Sequence, residues 1–131
     1  MDLGINGKVA LVTASSRGLG RGCAEQLAGE QCRVAICSRD EVAAKEAAAE
    51  IAGRSGSEVV GFGADVSNSE DIGRLLKNVK QSLGDPEILV TNAGGPPPGT
   101  FARAYCLCPP TLRVLTNLTL LSICRENWLK S

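Results

Sequence analysis

Short apolar runs alternate along this chain with longer stretches in which apolar residues recur every three or four positions. Lys8 to Thr13 (KVALVT), Arg33 to Cys37 (RVAIC), Glu58 to Phe62 (EVVGF) and Glu87 to Thr91 (EILVT) are nearly continuous in apolar, largely β-branched residues. Such runs predict strands covered on both faces, as in a parallel sheet. The intervening segments are long enough for crossover helices, which makes the chain α/β. Leu19, Cys23 and Leu27 repeat at four-residue spacing and predict the buried face of a first helix. Asp40 to Arg54 is alanine-rich and helix-favouring, with Asp40 as its cap. A third helix is expected from Ser67-Asn68-Ser69-Glu70, where Ser-x-x-Glu has the spacing of a reciprocal capping box. Ile72, Leu75, Leu76, Val79 and Leu83 continue it as one stripe that Gly84-Asp85-Pro86 should end. Beyond Asn92 the pattern breaks: Gly94-Gly95-Pro96-Pro97-Pro98-Gly99 predicts a loop, and Pro109-Pro110 a last helix from Thr111 towards Asn127. Two segments follow, a core over 1–95 and a divergent loop and helix over 96–131.

Composition narrows the function. The 131 residues suit one domain, and 44% hydrophobic content is enough for a core. Fourteen basic residues balance fourteen acidic ones without a basic block, which argues against a nucleic-acid partner. No apolar run approaches the length of a membrane span and no secretion signal opens the chain, so a soluble cytoplasmic protein is expected. Six cysteines without such a signal point away from disulfides, and Cys23, Cys32 and Cys37 are expected to fill the core. Cys106 and Cys108 lie two apart in a chain with no histidine, which is not the spacing of a structural zinc site.

Candidate chemistry begins where the first strand ends. Thr13-Ala14-Ser15-Ser16-Arg17-Gly18-Leu19-Gly20 is a turn of small residues leading into a helix. Unpaired amides and the positive end of the helix dipole favour an anion there, and the glycines allow close approach. The octet resembles the Thr-Gly-x-x-x-Gly-x-Gly fingerprint of the short-chain dehydrogenases/reductases, particularly the reductases similar to β-ketoacyl-acyl carrier protein reductase. Ala14 replaces the family's first glycine, and a Cβ there is comfortable only at negative φ. Asp85 to Gly95 (DPEILVTNAGG) resembles the family's fourth strand with its Asn-Ala-Gly, and Gly63-Ala64-Asp65-Val66 the end of its third.

The resemblance implies a Rossmann-like doubly wound parallel sheet, incomplete here at about four strands with flanking helices. It also implies a dinucleotide held by Thr13, Ser15, Ser16, Arg17, Gly18, Leu19 and Gly20, with Asp65 and Val66 beside the adenine and Asn92, Ala93 and Gly94 along the adenosine half. Charge then bears on which dinucleotide. An NAD site places a carboxylate about 20 residues past the glycines, at the end of the second strand. This chain has Ser38-Arg39, and an arginine there favours the 2′-phosphate of NADP(H) over NAD(H), with Arg17 as a second candidate. Asp40 lies one residue late for the ribose.

The family's catalytic groups are a serine and a Tyr-x-x-x-Lys pair. Tyr105 is the one tyrosine, and four residues on stands Pro109. Asn117, 25 residues after Asn92, resembles the asparagine that anchors a proton-relay water in the family, while an amide in a helix is also an ordinary structural residue. The stretch Phe101 to Arg113 lacks the family's polar helix start, so the tail is read as the product of a truncated, alternatively spliced or frame-disrupted sequence. Two functional readings stay open: the NADP(H)-binding portion of a carbonyl or hydroxyl oxidoreductase, incompetent by itself, or a non-enzymatic fragment that forms homo- or hetero-oligomers with full-length relatives.

Overall fold

A computed structural model describes residues 3–93 of the chain. Its elements alternate as expected: β1 (Val9–Val12), α1 (Gly18–Gly29), β2 (Arg33–Ser38), α2 (Glu41–Ser55), β3 (Val59–Gly63), α3 (Ser69–Ser82) and β4 (Ile88–Val90). The four strands form one parallel sheet in the order β3-β2-β1-β4. From β1 the chain steps outward through β2 to β3, then returns to the other side of β1 for β4. That reversal opens a crevice at the carboxyl ends of β1 and β4, the place where open α/β sheets bind ligands. The expected loop over 94–99, the helix over 111–127, the division at 96, Gly94 and Asn117 all lie outside the described residues.

Period-two alternation divides the strand side chains between two cores. Val12, Val34 and Ile36 face α1 and α2, meeting Ala24, Ala28, Ala47, Ala48 and Ile51. Val9, Leu11, Ala35 and Cys37 face α3, meeting Leu75, Val79 and Leu83. Every residue of β1 is buried, which is why its sequence shows no polar alternation. Leu11, Ile36, Ile51, Ile72 and Leu75 are fully enclosed, and each such side chain contributes about 1.5–3 kcal/mol by leaving water. Cys32 and Cys37 fill core space as predicted.

Three local expectations are corrected. The buried face of α1 is Gly20, Ala24 and Ala28, whereas Leu19 is 85% exposed. Leu27 is half-buried against the first core and Cys23 is exposed, so the Leu19-Cys23-Leu27 stripe is not the packing face. The helix lies close to the sheet, and only small side chains fit between them; the larger residues turn to the flank and to solvent. At α3 the cap is Asn68, whose Oδ1 accepts the Glu70 N–H at 2.9 Å. Ser67 instead donates its hydroxyl to Asp65 Oδ1 at 2.6 Å, so the Ser67/Glu70 box does not form. Thirdly, Ala14 adopts φ +48°, the left-handed conformation that its Cβ disfavours.

Candidate functional site

The turn after β1 is held from two sides. Thr13 donates its hydroxyl to the Asn92 carbonyl at 2.6 Å and accepts the Asn92 N–H at 2.8 Å, while its own N–H reaches Val90 O. Ser15 is fully buried: its N–H donates to Cys37 O at 2.9 Å, its Oγ donates to Val12 O at 2.7 Å and accepts the Cys37 N–H at 3.3 Å. Both residues therefore fasten the turn to the ends of β4 and β2, and the Ser15 amide is directed at β2. The Asn92 side chain completes the frame, its Nδ2 donating to Ala14 O at 3.1 Å. Against this frame packs Gly20, where an added Cβ would come within 2.6 Å of Ala14 O and 2.8 Å of Asn92 Nδ2. The glycine lets the start of α1 sit directly on the turn.

Helix starts differ in a way that marks this one. Asp40 caps α2 by accepting from the Val42 and Ala43 amides, and Glu41 lies in its first turn. At α3, Asn68 is the cap and Glu70 and Asp71 occupy the first turn. The start of α1 has neither: Arg17 makes no side-chain cap hydrogen bond, and no acidic residue lies in the first turn. Arg17, Gly18 and Leu19 are exposed there, with Gly18 at φ +63°. Amides at an uncapped helix start beside a guanidinium present positive potential to the crevice.

Along the edge formed by β2 and β3 runs a cleft of about 350 Å³. Arg39, Glu41, Asp65, Asp71 and Arg74 give it its charge. Ser38, at the end of β2, engages its hydroxyl with the Asp40 backbone, leaving Arg39 exposed at the rim. The Ser67 hydroxyl and amide hold the Asp65 carboxyl below its usual range, with a smaller contribution from Arg39. Val66 is half-buried against the second core rather than turned to the cleft. Ala93, the last described residue, is exposed.

The predicted site residues thus fall into two neighbouring groups. Ser16, Arg17, Gly18, Leu19 and Gly20 gather with Thr13, Ser15 and Asn92 at the β1/β4 crevice, and Arg39 with Asp65 at the β2/β3 edge. Sequence reasoning did not find Glu41, Asp71 and Arg74. Each belongs to the polar face of a helix, and a charge there carries no linear mark of the strand end it faces. Among the described residues no group of side chains is arranged to hold a metal ion, and no helix is long and apolar enough to cross a membrane.

A parallel sheet reversing at β1/β4, a glycine-bearing turn and an open helix start define a Rossmann-like nucleotide-binding unit. The chain belongs to the short chain dehydrogenase family, whose model matches residues 8–106. It is 39% identical over 92 residues to a 3-oxoacyl-acyl-carrier-protein reductase of Pseudomonas aeruginosa, covering 70% of this chain and 37% of that protein. With glucose 1-dehydrogenase 2 of Bacillus subtilis it shares 32% over 90 residues, covering 69% and 35%. The structure of L-sorbose reductase from Gluconobacter frateurii, complexed with NADPH and L-sorbose, superposes with a TM-score of 0.74 at 30% identity, covering 97% of this chain and 51% of that one. The chain spans little more than a third of the curated relatives it matches and about half of the solved one.

Proposed function

We propose that these residues form the cofactor-binding half of a short chain dehydrogenase/reductase selective for NADP(H), the half that seats the dinucleotide without completing the reaction. The observation that carries this reading is the open start of α1, set beside the capped starts of α2 and α3 in the same chain. A diphosphate fits there: it would accept from the amides following Arg17, beside the exposed Gly18, around which there is open space. Arg17 and Arg39 supply guanidinium groups at the two ends of the adenosine half. Asp40, two residues past the end of β2, turns its Oδ1 to the Val42 and Ala43 amides as the cap of α2, and the residue that directly follows the strand is Arg39. That arrangement favours a phosphorylated ribose at Arg39 over a bare diol. When bound, the nicotinamide supplies a hydride to a carbonyl or takes one from an alcohol. The alkoxide so formed needs a proton donor, and the one tyrosine, Tyr105, has Pro109 where the family's lysine would stand. These 131 residues bind and orient; they carry no Tyr-x-x-x-Lys pair.

Titrating the purified chain with NADPH and NADH, read by nucleotide fluorescence, tests the assignment. A preference for NADPH of about tenfold, or 1.4 kcal/mol, is expected, and Arg39→Ala should remove most of it. Equal affinities would refute the selectivity. Oxidation of NADPH by the purified chain across a panel of ketones would refute the incompetence.

A further inference from the structure

The cleft at the β2/β3 edge presents a difficulty for a 2′-phosphate, because its lining carries three carboxylates, Glu41, Asp65 and Asp71, against two guanidiniums, Arg39 and Arg74. A phosphate monoester brings about −1.5 to −2 charges, so an unbalanced acidic lining would repel the group that Arg39 is placed to receive. Each carboxylate, however, is engaged. Glu41 Oε1 is paired with Lys45 Nζ at 2.6 Å, one helical turn on. Arg74 donates to Asp71 Oδ1 at 2.7 Å, and the other Asp71 oxygen accepts the Asp65 N–H at 3.0 Å. Asp65 accepts from the Ser67 amide and hydroxyl. Glu41, in the first turn of α2, packs directly over Gly63, where an added Cβ would come within 2.8 Å of the Glu41 Cβ. Among the described residues Arg39 is the cleft cation with no ion-pair partner.

We infer that Lys45 and Arg74 are specificity-determining residues that act through the carboxylates they hold: by cancelling Glu41 and Asp71 they leave Asp65 as the one carboxylate acting on Arg39 and the cleft acceptable to a phosphorylated ribose. The inference rests on the NADP(H) reading and adds to it a charge-balancing layer behind Arg39. The Glu41 carboxyl is held below the usual range, by the Lys45 hydrogen bond first and by Arg74 more weakly. Removal of Lys45 uncovers a negative charge, because an exposed glutamate is ionised at neutral pH without a partner. The consequence is selective, because NADH brings no phosphate to this cleft.

The test is a set of affinities for NADPH and NADH on the 131-residue chain carrying Lys45→Met, Lys45→Arg, Glu41→Gln and the double variant Lys45→Met/Glu41→Gln. Two charges 4 Å apart interact weakly in water and more strongly at a protein surface; on that scale Lys45→Met should weaken NADPH binding about fivefold and leave NADH binding unchanged. Lys45→Arg should restore it. In the Glu41→Gln background Lys45→Met should have no effect on the NADPH/NADH ratio, and the loss in the single variant should shrink as salt screens the uncovered carboxylate. Equal weakening of both nucleotides by Lys45→Met would show that the pair merely shapes the first turn of α2 and would overturn the inference, as would a loss that persists in the double variant. A wild-type chain that binds both nucleotides alike sinks the cofactor assignment itself. A wild-type preference untouched by Lys45→Met leaves that assignment standing and removes only this one.

Discussion

Replacing Ala14 by glycine should stabilise the chain. Ala14 sits at φ +48°, its carbonyl accepting from Asn92 Nδ2 and facing Gly20, so the turn cannot relax towards negative φ without breaking that contact. A left-handed conformation costs a residue with a Cβ about 1–2 kcal/mol. Glycine removes that strain but returns about 0.4–1 kcal/mol through the greater freedom of the unfolded chain. The net gain is about 0.5–1 kcal/mol. With a urea dependence of about 1–3 kcal/mol per molar for a small domain, the unfolding midpoint of Ala14→Gly should rise by about 0.2–1 M. Circular dichroism during urea titration measures it. Ala14→Val is the counterpart, because a β-branched residue is strongly disfavoured at positive φ, and its midpoint should fall by more than the glycine variant's rises. An unchanged or lower midpoint for Ala14→Gly, with the slope of the transition preserved, would refute the assignment of strain to this residue.

Gly20→Ala should cost about 1–3 kcal/mol by overpacking and abolish nucleotide binding, since two of the atoms its Cβ meets, Ala14 O and Ser15 Cα, are backbone and cannot rotate away; wild-type affinity in a fluorescence titration would contradict it. Among the described cysteines, brief alkylation of the native chain followed by peptide mapping should label Cys23 before Cys32 and Cys37, because burial shields both of those thiols and pushes them up, away from the reactive thiolate. The Asp65 carboxyl is held low in the fold, so its contribution is complete above the unfolded value of about 3.9 and is lost as the pH falls through the folded one. Ser67→Ala should therefore differ from wild type by a constant stability gap near pH 6 that closes on acidification below about pH 4, followed by urea titration at each pH.

The strands could be read from the chain because a parallel strand covered on both faces has to be apolar throughout, and VALV or RVAIC has no other reading of that length. The cap at Asp40 was equally legible, a short polar side chain before an alanine-rich run. The face of α1 was not. Leu19, Cys23 and Leu27 have the larger hydrophobic surface, but closeness of approach decided the packing, and Gly20, Ala24 and Ala28 carry the same spacing with less bulk. Asn68 displaced Ser67 as cap because the Ser67 hydroxyl has a nearer acceptor in Asp65, a choice between two short-range partners that spacing alone does not rank. In the site, the glycine turn and Arg39 stood out as local words, whereas Arg74 meets the cleft only through the crossover from β3 to α3.

The two hydrogen bonds between Thr13 and Asn92 join residues 79 positions apart. During synthesis, then, the turn after β1 leaves the ribosome well before β4 yet acquires its shape only afterwards, since neither Thr13 nor Ala14 is secured until Asn92 has docked. Long-range closures of this kind come late and slowly. In a pulse-labelled hydrogen-exchange experiment the Thr13 amide, held by Val90 O, should gain protection no earlier than the amides of β4. A nascent chain that has not yet released residue 92 can pair β1, β2 and β3 but lacks the residue that fixes the turn after β1.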